Sequence, residues 1–182
     1  MSNMKHSCQF LYQIVDEQPG DISGIRKVNF EAFNNLGEVH LVDQLREFCD
    51  IFISLVAKAD NKILGHILFT PVQIVSPDQV SITGLGLAPL SVLPEFQGYG
   101  IGSNLCRSGI KKIILLGYPF VVVVGNHGYY TRFGFTSAKR HNITCALKNI
   151  PEEAFLINII DVEAMKDLSG IAYYRQEFSE LN

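Results

Sequence analysis

Basic charge is scarce in this 182-residue chain: 15 lysines and arginines stand against 18 acidic residues, giving a net charge of −3 and a pI near 5.9. A surface that grips nucleic acid or an anionic membrane needs enough cations to neutralise many phosphates, so neither is expected as a partner. The short pair Lys111-Lys112 does not alter that. The four cysteines, Cys8, Cys49, Cys106 and Cys145, lack CxxC spacing, which leaves no pattern for a zinc site or a disulfide framework and fits reduced thiols. No apolar run approaches the roughly 20 residues that span a bilayer, and no N-terminal segment joins a basic stretch to an apolar one as a secretory signal does. The expectation is a cytoplasmic protein without a metal. No repeat, low-complexity tract or linker divides the sequence, and with 47% apolar residues it is long enough for one complete core, so residues 1–182 read as a single domain.

Periodicity supplies the elements. Cys8 to Val15 reads as a strand closed by Pro19-Gly20. A helix follows, with Asp21 or Ser23 as cap, an apolar stripe of Ile22, Ile25, Val28, Phe30 and Phe33, and a stop near Asn34-Asn35. A second short helix fits Leu41 to Phe48. Ile51–Ala59 and Ile63–Val75 form a hairpin across Asp60-Asn61, with Asn61 taking the positive φ. Val80 to Val92 carries Gly84, Gly86 and Pro89, which predicts a bent or bulged strand that pairs incompletely with a neighbour and leaves a gap for a ligand. Ile101, Leu105, Ile113 and Leu116 predict a helix that stops at Gly117, and the β-branched run Phe120 to Val124 predicts a strand buried on both faces. Ala154–Ile160 reads as a strand, Val162–Leu168 as a helical turn, and Ile171–Phe178 as a last strand or tail.

The most telling stretch is Val92 to Leu105, VLPEFQGYGIGSNL. Its glycines leave the backbone bare, and a helix beginning inside it aims unpaired N–H groups and the positive end of its dipole at an anion. It reads as a pyrophosphate loop. A dinucleotide fingerprint needs an acidic residue about 20 positions on, where this chain has Phe120 to Val124, and a Walker loop needs a lysine that Gly102-Ser103-Asn104 lacks.

Gln97-Gly98-Tyr99-Gly100-Ile101-Gly102, preceded by Leu90-Ser91-Val92-Leu93-Pro94 and followed by Tyr129-Tyr130-Thr131-Arg132-Phe133-Gly134-Phe135, resembles the acetyl-CoA motif and the later Y-x-x-x-G-F segment of the GNAT superfamily of N-acetyltransferases. The tail, through Glu153-Ala154-Phe155-Leu156 and Gly170-Ile171-Ala172-Tyr173, looks like a bacterial branch of predicted acetyltransferases in that superfamily. The resemblance implies an α/β (α+β) fold with a splayed, mixed but mostly antiparallel sheet flanked by helices. It implies acetyl-CoA as donor, an amine as acceptor, and direct attack in a ternary complex, and it leaves open pairing into a homodimer. By that likeness the backbones of Leu90 and Val92 meet pantetheine, and Gln97, Gly98, Tyr99, Gly100, Ile101 and Gly102 meet the pyrophosphate. Asn126 is a lesser cofactor-side candidate.

Expelling CoA thiolate is helped by a proton donor near sulfur, and taking up an ammonium is helped by a base. Tyr130 matches the family's tyrosine acid, whereas Tyr129, one position off, is assigned to the core. The base is not written in the motif, because Ser81 to Val92 contains no carboxylate. That departure keeps open a second expectation, a CoA-binding sensor or interaction module with impaired catalysis. His127 and His66 are candidates for a proton relay. Glu31 and Glu38 border the acceptor side and are read first as solvated carboxylates. Phe30, Phe33, Phe48, Phe52 and Phe69 are read first as core residues.

Overall fold

A computed structural model describes residues 11–180. Its elements are β1 (Gln13–Asp16), α1 (Ile22–Phe33), α2 (Gly37–Phe48), β2 (Ile53–Ala59), β3 (Lys62–Val75), β4 (Ser81–Val92), α3 (Ile101–Leu115), β5 (Phe120–Val124), α4 (His127–Tyr130), β6 (Thr136–Ser137), β7 (Ile143–Cys145), β8 (Phe155–Ile159) and β9 (Gly170–Tyr173). The strands form one sheet in the order β1-β2-β3-β4-β5-β8-β6. Among the described residues only β4–β5 and β7–β9 run parallel. The first pair is joined through α3, so the strand, loop, helix, strand order expected from the sequence is present.

The sheet is covered on both faces. On one, α3 sets Ile101, Leu105 and Ile113 against Ile67, Phe69, Leu85 and Leu87. Each fully buried aliphatic or aromatic side chain of this kind is worth about 2 kcal/mol relative to exposure. The helix comes so close that a Cβ on Gly109 would lie 2.4 Å from the Phe69 ring. On the other face, Ile25 and Val28 of α1 and Leu41, Val42 and Leu45 of α2 pack on Val56, Ile63 and Leu68. α1 ends at Asn34, whose left-handed φ of 54° an asparagine tolerates. The hairpin between β2 and β3 also forms, but the positive φ falls on Asp60 rather than Asn61. Asp21 precedes α1 without capping it; its carboxylate accepts from the Gln18 N–H (3.1 Å) and from Lys58 (2.6 Å).

β4 is bent by a bulge. Ile67 pairs with Leu90 and Phe69 with Leu87, so Ala88 and Pro89 together oppose Leu68. Proline, with no N–H to offer a ladder, is tolerated at that position, and the extra residue brings both Leu87 and Leu90 to the α3 face.

A buried polar chain fastens α1 beneath the same segment. Ser91 Oγ donates to Asn29 Oδ1 (2.7 Å), Asn29 Nδ2 lies 3.3 Å from His66 Nδ1, and His66 Nε2 lies 3.0 Å from Ser54 Oγ. Ser54 Oγ in turn donates to Glu17, which pairs with Arg46 at 2.6 Å. Only one arrangement of protons satisfies every member: a neutral imidazole that accepts at Nδ1 and donates from Nε2. Burial, aided by the Arg46 charge, lowers the His66 pKa to about 3.

Several other details differ from the sequence-based expectations. β1 starts at Gln13, and Cys8 to Phe10 lie outside the described residues. α2 begins at Gly37, four residues earlier than the apolar pattern shows, because its first turn is polar. The segment after β8, expected as a helical turn over Val162–Leu168, forms consecutive turns over 162–167. Among the described residues no helix is long and apolar enough to cross a membrane.

Candidate active site

β4 and β5 touch briefly and then part. Their ladder covers only Leu85–Leu87 against Val121–Val123, while β4 runs on to Val92 along β3 alone. Leu93 N–H donates to Leu64 on the β3 side at 2.9 Å, so strand alternation turns the backbone groups of Leu90 and Val92 toward the side β5 has left. Between the two strands lies a cavity of about 400 Å³, lined by Leu87, Ala88, Pro89 and Leu90 of β4 and by Val123 and Val124 of β5. α1 and α2 contribute Phe33, Glu38 and Leu41, and the chain around β7 and β9 contributes Leu147, Lys148, Ile150, Tyr174 and Phe178.

Tyr130 forms the remaining wall. Its ring is buried edge-on against Phe135 (5.6 Å between centroids) and Tyr129 (5.0 Å). A Cβ on Gly125 would stand 2.4 Å from that ring, so the glycine after β5 is what lets the tyrosine fold back over the strand end. Burial, with the neighbouring Cys106 and Tyr129 groups, raises the hydroxyl pKa above its ordinary value, and the phenol stays protonated across neutral pH.

The glycine loop sits at the end of β4. Gly98 and Gly100 both take φ of +83°, which a Cβ disfavours, and an added Cβ at either would meet only open space. Gly100 is the residue before α3 and brings no side-chain cap. The first helical N–H groups, at Ile101, Gly102 and Ser103, therefore remain available to an anion. Gly102 has a further constraint, since its Cβ would lie 2.9 Å from the Tyr129 hydroxyl. Two guanidinium groups sit nearby, Arg132 over the Tyr129 ring (4.5 Å) and Arg107 over Phe133 (5.5 Å).

The sequence-assigned residues do not all converge. Tyr130 and Leu90 line the cavity, and the glycine loop follows the end of β4 outside that lining. Gln97 spends its side-chain amide on the Val92 carbonyl (3.0 Å), which ties the loop to the strand. Tyr99 is exposed on the loop. The Asn126 Oδ1 accepts from Tyr129 N–H at 3.0 Å and caps α4. His127, the first residue of α4, is exposed and stands outside the cavity lining. His66 is sealed inside the polar chain beneath α1 and is likewise absent from that lining. Tyr129, assigned to the core, is only half buried and rests against the start of α3. Burial raises its pKa against the opposing hydrogen bond from Ser103.

Of the aromatic candidates only Phe33 reaches the cavity, while Phe69 is core and Phe30 and Phe48 are exposed. Glu31 pairs with Lys27 on the α1 surface (3.7 Å). Sequence reasoning passed over Tyr174, Phe178, Leu147 and Ile150, for which no local pattern exists, and set Glu38 aside as solvated. Cys106 is buried and its thiol pKa is pushed up to about 12, so it is no nucleophile at neutral pH.

A family model described as the acetyltransferase (GNAT) family matches residues 22–135. The chain is 30% identical to the uncharacterized N-acetyltransferase YhbS of Escherichia coli (strain K12), over 90% of this chain and 96% of YhbS. It is 38% identical to YjhQ of the same strain, another uncharacterized N-acetyltransferase, over 79% of each. Among solved structures it is similar to Escherichia coli YhbS in complex with CoA, with a TM-score of 0.83, 30% identity and coverage of 92% and 91% of the two chains. It is also similar to a GNAT family acetyltransferase from Brucella melitensis in complex with acetyl-CoA, with a TM-score of 0.76, 33% identity and coverage of 93% and 99%.

Proposed function

The chain belongs to the GNAT acetyltransferase family and is an acyltransferase; on that premise we propose that it moves an acetyl group from acetyl-CoA to an amine by direct attack within a ternary complex. The observation that carries this reading is the junction of three features. An apolar cavity opens where β4 leaves β5, the uncapped start of α3 follows β4 behind two left-handed glycines, and a protonated tyrosine lines the cavity.

The pantetheine arm lies along β4 and bonds the outward-turned backbone groups of Leu90 and Val92 in place of the missing β5 ladder. The pyrophosphate rests on the amides of Gly98 to Gly102. The thioester then sits at the cavity, where the amine nitrogen attacks the acetyl carbon, the C–S bond breaks, and the electron pair leaves on sulfur. Tyr130 donates its hydroxyl hydrogen bond to that sulfur as negative charge develops. Because burial raises its pKa above that of a thiol, the tyrosine keeps its proton and serves as a hydrogen-bond donor, so CoA leaves as the thiolate and the proton lost from the attacking nitrogen passes to solvent. No acyl-enzyme is needed, and the buried Cys106 thiol is unsuited to form one.

Calorimetry with acetyl-CoA and with CoA, followed in the same sample by thiol release against a panel of amines, tests the reading. Binding with amine-dependent thiol release is expected. Binding without release would reduce the protein to a CoA-binding module, and absence of binding would overturn the assignment.

A further inference from the structure

The cavity carries two polar atoms that nothing satisfies. Among the described residues, Glu38 Oε2 and the Tyr174 hydroxyl are shut off from solvent and have no hydrogen-bond partner, and both residues line the same cavity. A carboxylate oxygen hidden from water without a donor is costly to keep. Both side chains belong to the lining of one largely apolar space, with Phe33, Leu41, Leu147 and Phe178, and a ligand held there is the partner available to them.

We propose that the acceptor end of this cavity is built for a primary ammonium carried on an apolar body, with Glu38 and Tyr174 as the residues that recognise it. The inference rests on the reading of the cavity as the acetyl-transfer cleft and names its substrate class. An ammonium has three donors and one positive charge. One N–H meets Glu38 Oε2 as a charge-assisted bond, and a second meets the Tyr174 oxygen. Glu38 stands in the first turn of α2. Burial raises the Tyr174 hydroxyl pKa well above its usual value, so it stays neutral. The one basic side chain in the lining, Lys148, is exposed and forms no ion pair with Glu38. It places positive charge on the cavity wall and disfavours an acceptor with a second cation. The apolar lining takes the body of the ligand, and an alcohol of the same shape would leave the carboxylate without a charged donor.

The test uses the full chain, with and without saturating CoA, titrated calorimetrically with 2-phenylethylamine and with its neutral analogue 2-phenylethanol. The amine should bind at least tenfold more tightly than the alcohol. Glu38→Gln should erase that preference, and Tyr174→Phe should weaken the amine several-fold, while both variants keep the parent CoA affinity and circular dichroism spectrum. In turnover, Glu38→Gln should raise KM for the amine without raising KM for acetyl-CoA. Equal binding of amine and alcohol, or an undiminished preference in both variants, would overturn the proposal even if acetyl transfer is established. Conversely, Glu38-dependent amine binding in a protein that neither binds CoA nor releases thiol would uphold this site while the transferase reading falls.

Discussion

His66 should make this protein acid-sensitive in a pH window where carboxylates contribute little. Its imidazole is fully enclosed, and its pKa is lowered to about 3 from an ordinary 6.5. Between those values the unfolded chain holds a proton that the folded chain does not. Stability therefore rises with pH across that interval and falls as the solution is acidified, by about tenfold in the folding equilibrium per pH unit. From pH 7 to about 4.5 the loss comes to roughly 2 to 3 kcal/mol, a sizeable share of the 5–15 kcal/mol typical of a domain. Glu95 and Glu177 titrate below the usual carboxylate range, so the stability they contribute is lost only as pH falls further. The chain has no tryptophan, so urea unfolding is best followed by far-ultraviolet circular dichroism at several pH values in the window. His66→Gln keeps a donor for Ser54 but cannot take up the proton. Its absolute stability is expected to drop, whereas its stability should change much less with pH. If parent and variant lose stability equally between pH 7 and about 4.5, the linkage assigned to His66 is wrong. The result bears on function because the same chain ends on Ser91, which sits between Leu90 and Val92.

Other perturbations separate binding, chemistry and packing. Gly100→Ala places a Cβ at a φ of +83°, costing about 1–2 kcal/mol and obstructing the approach of an anion, so acetyl-CoA affinity should fall at least tenfold by calorimetry. Gly117→Ala at φ +76°, at the far end of α3, should lower stability alone, and equal CoA affinity in all three proteins would refute the loop assignment. Tyr130→Phe should cut turnover about a hundredfold while CoA affinity stays within a few-fold, because the ring that packs on Phe135 is retained; unchanged turnover removes its role at sulfur. Gly84→Ala brings a Cβ to 2.6 Å from the Phe120 carbonyl oxygen. That contact is with backbone, no rotamer relieves it, and the cost should be about 1–3 kcal/mol, read as a melting temperature lowered by several degrees. An unaltered melting temperature would mean that β4 and β5 yield there without cost.

The elements legible in the sequence were those with a local signature. α1 and α3 announce themselves by apolar spacing and by their stops at Asn34 and Gly117, and β5 by five consecutive β-branched or aromatic residues. β6 and β7, of two and three residues, are too short to hold a period. The bend in β4 followed from Pro89 and its glycines, but its mechanism, two residues set against Leu68, needs the partner strand.

The loop proposed for the phosphate was legible in the sequence because its features are contiguous: the left-handed glycines and the start of α3 lie within a few residues, and backbone conformation is a local property. The acceptor wall we propose could come only from tertiary structure. Glu38, Lys148 and Tyr174 come from three distant stretches of chain, brought together by β9 pairing with β3 and by α2 packing on the sheet. Whether Glu38 is solvated, and whether His66 can hold a proton, depend on what surrounds each side chain. Desolvation is a property of the assembled fold, and no spacing of residues along the chain encodes it.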